Sequence, residues 1–373
     1  MGEAGRRRRV LRARVSLILG LVMGAPALAG CGGESPPPLS GEPWPEANRL
    51  FTDDPMWRGG DGAYSVDLGG ERVLWLFGDS FVGRSDEAAA SVMVRNTVAV
   101  QTGLDPTRAF MRFYWNTVDG HPASFVPEQG PFWYWPGHGI RVGQRLLLFY
   151  GRLFQQSEGM FGFRQSDWTA FVVDNPDDEP SAWRMTEARV DDDRDIDVTN
   201  GVLRVDDKLY AYAFATNRVP FAIRLVRFDL ARALEGDLTG AEWWTGGGWG
   251  ARSDSRAIVD FGTSEFSVHF APKLGLYVMV HSAGAGATTL AYRTAPRPEG
   301  PWSEPRDAFR PPESFFDDAF VYAGKGHPEL VGGDLVATYV PSSFETLPPA
   351  IGDPYYHPFF ARLTFPAKGA ADP

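Results

Sequence analysis

The 373-residue chain has a single cysteine, Cys31, so no disulfide can close within it. No apolar run marks a membrane-spanning helix: the stretch over 15–23 falls well short of the ~20 residues such a span needs. A basic stripe is also missing. The formal charge is −11, and the first 30 residues carry six Arg and one Glu, which leaves about −16 on the remainder. Neutralising phosphates takes clustered Lys and Arg, so nucleic acid is excluded as a partner. The chain has no serine nucleophile elbow, no phosphate-binding loop, no dinucleotide fingerprint and no histidines at metal-ligand spacing.

What is present begins with a leader. Arg6, Arg7, Arg8 and Arg9, then Arg12 and Arg14, surround or precede an apolar core, and small residues lead into Leu28-Ala29-Gly30-Cys31. That order makes residues 1–30 a secretory signal peptide. The segment ending at Cys31 resembles a bacterial lipobox, in which the cysteine is acylated and becomes the new N-terminus. The expectation is a protein lipid-anchored through Cys31 to a membrane of the cell envelope, on its periplasmic or cell-surface side, two acyl chains giving an anchorage that one does not. The arginine pair also permits twin-arginine export. Residues 31–47 are rich in Gly and Pro and read as a spacer.

The main domain is expected over 48–367, with a tail over 368–373. The chain holds 12 Trp, 12 Tyr, 26 Phe, 42 Gly and 30 Pro, which suits many short strands joined by turns. Five apolar runs recur, at 72–78, 145–151, 208–214, 276–281 and 335–340. Each follows a tight turn, and each turn follows a shorter alternating run, which is a hairpin signal. The hairpins start near 61, 138, 200, 265 and 327. Further strand candidates at 96–101, 110–114 and 222–228 supply outer strands, and 230–234 reads as one short helical turn. Radial repetition of small antiparallel sheets predicts an all-β fold, a five-bladed β-propeller. A β-sandwich with a second β-domain is the alternative.

In a propeller, residues just before the first strand of each blade and just after the second crowd around one opening. The first set is Asp61, His138, Asn200, Glu265 and His327; the second is Asp79-Ser80, Arg152, Thr216-Asn217, Ser282 and Ser342-Ser343. Asp61 and Asp79 flank the opening hairpin nearly opposite each other, where paired Cα atoms lie about 4.5–5.5 Å apart. Two such carboxylates repel when both are ionised, so one retains its proton. The pair can serve as general acid and base, or as nucleophile and acid. Taken singly, each aspartate is as well explained by an Asx turn. Glu265 is a third catalytic candidate, arriving from across the channel. His138, Asn200, His327, Lys325 and Arg152 are candidate substrate-binding groups, with Trp135 and Trp244 as stacking surfaces for sugar rings. Trp75, Phe77 and Trp302 read as packing. Asp, Asp and Glu would also suit calcium, but no contiguous oxygen-rich loop is present, so no metal and no cofactor is assigned. The acidic run 191–195 reads as a solvated loop.

Several motifs together resemble those of bacterial propeller families described as domains of unknown function. They are Trp57-Arg-Gly-Gly-Asp-Gly-Ala-Tyr-Ser-Val66 with Leu74-Trp-Leu-Phe-Gly-Asp-Ser80, the segments 134–139 and 323–329, and Gly-Pro-Trp-Ser at 300–303. Those families are similar to the five-bladed glycoside hydrolases that include arabinanases, invertases and levansucrases, and one related branch is associated with endo-acting cleavage of D-arabinan. The resemblance spans most of the chain from Trp57 to Phe365. It implies that Asp61 matches the blade-one aspartate used as base or nucleophile, with Asp79 as its partner. Glu265 departs from the pattern, because the acid of arabinanase-like enzymes comes from an earlier blade. Three functions stay open: a glycoside hydrolase acting on a polysaccharide or oligosaccharide, arabinan-like substrates included; a carbohydrate-binding propeller lipoprotein without turnover; and a scaffold for a protein partner.

Overall fold

The computed structural model describes residues 38–83, 91–158, 162–191, 194–216, 218–283, 288–316, 319–343 and 355–365. The leader, Cys31 with the spacer to 37, residues 192 and 193 of the acidic run, Asn217 and the tail lie outside the described residues.

The protein is mostly β. Among the described residues, five sheets of four or more strands follow one another along the chain. The first is built from Tyr64–Gly69, Arg72–Phe77, Thr97–Thr102 and Phe110–Tyr114, the second from Phe132–Val142, Arg145–Gln155, Phe163–Val173 and Met185–Glu187. The third contains Ile196–Val205, Lys208–Ala215, Phe221–Asp229, Glu242–Trp244 and Trp249–Gly250, with Val259–Gly262 on the far end of its third strand. Phe266–Ala271, Leu276–Ser282, Leu290–Ala295 and Arg306–Phe309 make the fourth. The fifth consists of Ala319–His327, Leu335–Ser343 and Phe359–Thr364, completed by Ser40–Pro43 from the other end of the chain. Each sheet opens with an antiparallel hairpin, four of them at the turns expected; in the fifth, Ala319–His327 ends where the hairpin was expected to start, and 328–334 form the connection instead of a strand and a two-residue turn.

The period-two alternation sends each sheet's residues to two faces, and each face enters a different core. Val66, Leu74 and Leu76 pack with Tyr134, Leu148 and Tyr150 of the second sheet. From the other face, Trp75 and Phe77 pack with Val336 and Phe360 of the fifth. The remaining junctions are filled likewise, two with three, three with four and four with five. Trp75 and Phe77 are fully buried, as their role in packing requires, each stabilising its junction by roughly 1.5–3 kcal/mol of apolar burial.

The spacer expected over 31–47 is shorter than its composition suggests. Ser40–Pro43 pairs antiparallel with Phe359–Thr364, and Pro45–Thr52 forms a helix with Pro at its start, whose Leu50 and Phe51 are buried. Backbone pairing and an amphipathic helical face override the Pro-rich composition here. The turn expected at 230–234 is the short helix Leu230–Leu234, capped by the Asp229 carboxylate. No helix among the described residues is long and apolar enough to cross a membrane.

Candidate active site

The opening hairpin does not stop at its first ladder. Beyond Tyr64 and Phe77 the chains separate into a second small sheet, where Gly60 faces Ser80. At the junction the Gly78 amide donates to the Asp61 carbonyl (2.9 Å) and the Asp61 amide donates to the Asp79 carbonyl (3.4 Å). The Asp61 backbone therefore bonds to both Gly78 and Asp79 in the gap between the two ladders, where three residues face three. A Cβ at position 78 would meet Asp61 Oδ1, so glycine there leaves the carboxyl its place.

Both aspartates are held by aromatic donors. Asp61 Oδ2 accepts from the Tyr322 hydroxyl at 3.0 Å and from the Tyr356 hydroxyl at 3.4 Å. Burial, then the charges of Asp79 and Glu265, push its carboxyl up to about 8, with Tyr322 and Lys325 offsetting only part of the rise. Asp79 Oδ1 accepts from Trp135 Nε1 at 2.8 Å, and Oδ2 pairs with Arg95 at 3.2 Å. Burial pushes Asp79 up as well, but Arg95 and Trp135 limit it to about 6. Arg95 in turn lies over the Trp133 ring at 4.3 Å.

Glu265, one residue ahead of the fourth sheet, accepts from Lys325 Nζ at 3.0 Å. Lys325 is only 1% exposed, and burial pushes its ammonium below the usual lysine range. Its remaining contacts are the Ala323 carbonyl at 3.3 Å and the face of Tyr64 at 4.2 Å. The Tyr64 hydroxyl then donates to Asn200 Oδ1. One buried lysine thus links the fifth, fourth and first sheets, and Tyr64 extends the link to the third.

A fourth carboxyl stands near this group. Asp197 lies in the first strand of the third sheet and accepts from Gln165 Nε2 at 2.7 Å. Burial raises it to about 6, Thr199 and Gln165 opposing. Asp79 and Glu265 each have a dedicated cation. Among the described residues, Asp61 and Asp197 have no ion-pair partner.

The substrate-binding roles expected for two histidines do not fit their surroundings. His138 Nε2 faces the Ser65 carbonyl at 3.0 Å and Nδ1 accepts from the Val202 amide at 2.9 Å, so the ring clamps the first, second and third sheets together. His327 is fully buried between Ser65 Oγ (2.6 Å) and Thr338 Oγ1 (2.8 Å). Asn200 is likewise fully buried, and Lys325 serves Glu265 instead of facing the opening. Arg152 is held by both carboxylate oxygens of Asp167, at 2.6 and 2.7 Å. Trp244 is in an outer strand of the third sheet, against Trp249, three strands away from the one that carries Asp197. Trp135 alone of the expected binding residues touches a carboxylate of the cluster besides Lys325. Tyr322, Tyr356, Arg95 and Asp197 are members of the site that the sequence did not single out. Among the described residues no group of three or more His, Cys, Asp or Glu side chains is arranged to hold a metal ion.

Against known proteins, a family model described as a domain of unknown function, DUF5005, matches residues 46–364. The chain belongs to this family. No curated protein matches it. Among solved structures, a protein from Bacteroides ovatus ATCC 8483 designated a hydrolase superposes with a TM-score of 0.66 at 18% identity, over 85% of this chain and 88% of that one. That likeness shows a shared fold. A GH43_1 enzyme from Xanthomonas citri complexed with xylose follows with a TM-score of 0.49 at 14% identity, over 87% and 93% of the two chains. The catalytic domain of a Coprinopsis cinerea GH62 α-L-arabinofuranosidase has a TM-score of 0.46 at 10% identity, over 88% and 96%. The DUF5005 match places the chain in a family described as a domain of unknown function, the kind of family its sequence motifs resemble.

Proposed function

We propose that this DUF5005 protein is an exported, lipid-anchored glycoside hydrolase, a closed five-bladed propeller that cuts a polysaccharide or oligosaccharide, arabinan-like chains included. The ring is supported by contacts between first strands: Ser65 with His327, His138 with Ser65 and Val202, Gly326 with Ser267, and Gly201 against Val268. The anchor rests on the leader and Cys31.

Asp61 carries the catalytic reading. It is a carboxyl raised to about 8, beside two carboxylates that each have a cation of their own. At neutral pH Asp61 keeps its proton, whereas Asp79, at about 6, has lost most of its own. Such a split in acidity is what a general acid and base need. Asp61 gives its proton to the glycosidic oxygen as the C–O bond breaks. Water adds to the anomeric carbon, and Asp79 takes the proton that water releases. Glu265, fixed by Lys325, faces the positive charge that develops on the sugar ring. Trp135, Tyr322 and Tyr356 offer the ring aromatic and hydroxyl surfaces.

A panel of arabinan, xylan, galactan and β-glucan incubated with wild type and Asp61→Asn tests this. Products released by wild type alone uphold it. Binding by both proteins with products from neither leaves a carbohydrate-binding protein, and no binding at all overturns the sugar reading.

A further inference from the structure

A groove of about 380 Å³ is lined by Val94 and by Ser124, whose hydroxyl accepts from the Arg95 amide. Its volume falls within the ~300–1,000 Å³ typical of small-ligand sites. Its walls come from Val92–Val94, from the hairpin of Asn116–Val118 with His121–Ala123, and from the segment that follows it up to Glu128. Met93, Val118 and Pro122 supply apolar edges, while Ser124 and Glu128 supply polar ones. Met93 and Val118 are 44% and 60% exposed, an uncommon display for large apolar side chains set side by side.

The groove is pre-formed. Asn116 Nδ2 donates to the carbonyls of Ser124 (3.1 Å) and Phe125 (2.8 Å), closing the hairpin over the following segment. Buried Asn96 holds that segment from below, its Oδ1 accepting from the Val126 amide at 2.7 Å and its Nδ2 donating to the Val126 carbonyl at 3.2 Å. Ligand-free walls tied this way need little ordering on binding.

The groove is also tied to the carboxylate cluster through Arg95. The Arg95 amide donates to Ser124 Oγ in the groove wall at 3.0 Å, and its guanidinium pairs with Asp79 at 3.2 Å. Glu128, on the groove's rim, lies close enough for its charge to raise Asp79. One arginine therefore separates the groove from a carboxylate of the site.

We infer that this groove is a subsite for the chain of the glycan next to the bond that is cut, so that the substrate class is an oligomer or polymer gripped along several sugar units. The inference rests on the sugar reading of the carboxylate cluster. Apolar edges meet the C–H faces of sugar rings, and Ser124 and Glu128 meet their hydroxyls. No charged partner is demanded of the ligand, which fits a neutral glycan.

The test is calorimetric titration of full-length Asp61→Asn protein with arabinan and xylan ladders of one to six units. Affinity for one ladder is expected to rise at least tenfold from one unit to four. In Asp61→Asn carrying Met93→Asp and Val118→Asp, that rise should shrink below threefold. Val118→Trp, which fills the groove, should act the same way, and melting curves of these exposed-site variants verify folding. Affinity independent of length, or a rise unchanged in both groove variants, overturns the subsite while leaving the carboxylate reading intact. No binding of any ladder by any of the proteins overturns both.

Discussion

The amide of Asp61 donates to the carbonyl of Asp79 at 3.4 Å, in the gap between two ladders of the opening hairpin. Backbone geometry thus fixes the spacing of the two carboxyl groups, whereas their separate partners, tyrosines on one and Arg95 with Trp135 on the other, fix their different acidities.

Asp61→Asn should lower hydrolysis by about 10²–10⁴-fold, the usual contribution of a positioned acid. It should also stabilise the protein at neutral and alkaline pH. The folded carboxyl titrates at about 8 and the unfolded one at 3.8, so the wild type loses stability as pH rises between those values. Asparagine has no such titration. The melting temperature of the variant should exceed that of wild type by more at pH 8 than at pH 5. Parallel melting curves at both pH values would count against the raised acidity assigned to Asp61.

Trp135→Phe removes the donor to Asp79 Oδ1 and keeps the ring. A carboxylate that loses a donor is harder to ionise, so the acid limb of the pH–rate profile should move upward from near 6, by up to ~1 unit. An unchanged acid limb would remove Asp79 from the role of base.

Gly78→Ala places a methyl group against Asp61 Oδ1. The carboxyl must move, and displacement of a catalytic group by about 1 Å can cost ~10²-fold in rate. A circular-dichroism spectrum like that of wild type combined with lost turnover is the expected pair of results. Full activity would show that the bare backbone at Gly78 does not set the geometry of the site.

The buried histidines pull stability the opposite way from Asp61. Burial lowers His138, His269 and His281 to about 4, against 6.5 for the exposed side chain. The unfolded chain therefore takes up protons first, and stability present above pH 6.5 is lost as pH falls toward 4. His269, with neither ring nitrogen bonded in the interior, is the simplest to remove. His269→Leu should flatten the decline of melting temperature between pH 6.5 and 4, and an identical slope would assign the effect to other groups.

Cys31→Ala should release the protein from the membrane fraction into the soluble fraction on cell fractionation, with the wild type retained until detergent is added. Equal retention of both would rule out the lipid tether.

The turns made the hairpins legible, because two turn residues between alternating runs leave few other structures open. Counting back from each turn reached the carboxylate cluster at Asp61, past a shift at Asp67/Gly69, and at Glu265. In the fourth sheet the pairing runs without a shift, and Glu265 sits just beyond its end. The other sheets carry irregularities, at Pro136/Gly139, around Asn200 and at Tyr322/Lys325. Each adds residues to one strand. The count from the turn therefore stopped at His138, Asn200 and His327, which are within strands, whereas Trp135, Asp197 and Tyr322 lie farther along toward the carboxylates. Bulges leave no reliable mark in a single sequence. Tyr356 was invisible for a different reason: it meets Asp61 from 295 positions away.

The pairing of Ser40–Pro43 with Phe359–Thr364 makes the fifth sheet the last to be completed. Its outermost strand is the first described strand of the chain, and the strand beside it is the last described one. Assembly cannot finish on a partial chain, because the seam joins the two most distant segments of the domain, a contact that is slow to form. The seam sets the first and last described strands side by side, so a circular permutant joined at the seam and cut at the Gly69-Gly70 turn should regain the fold.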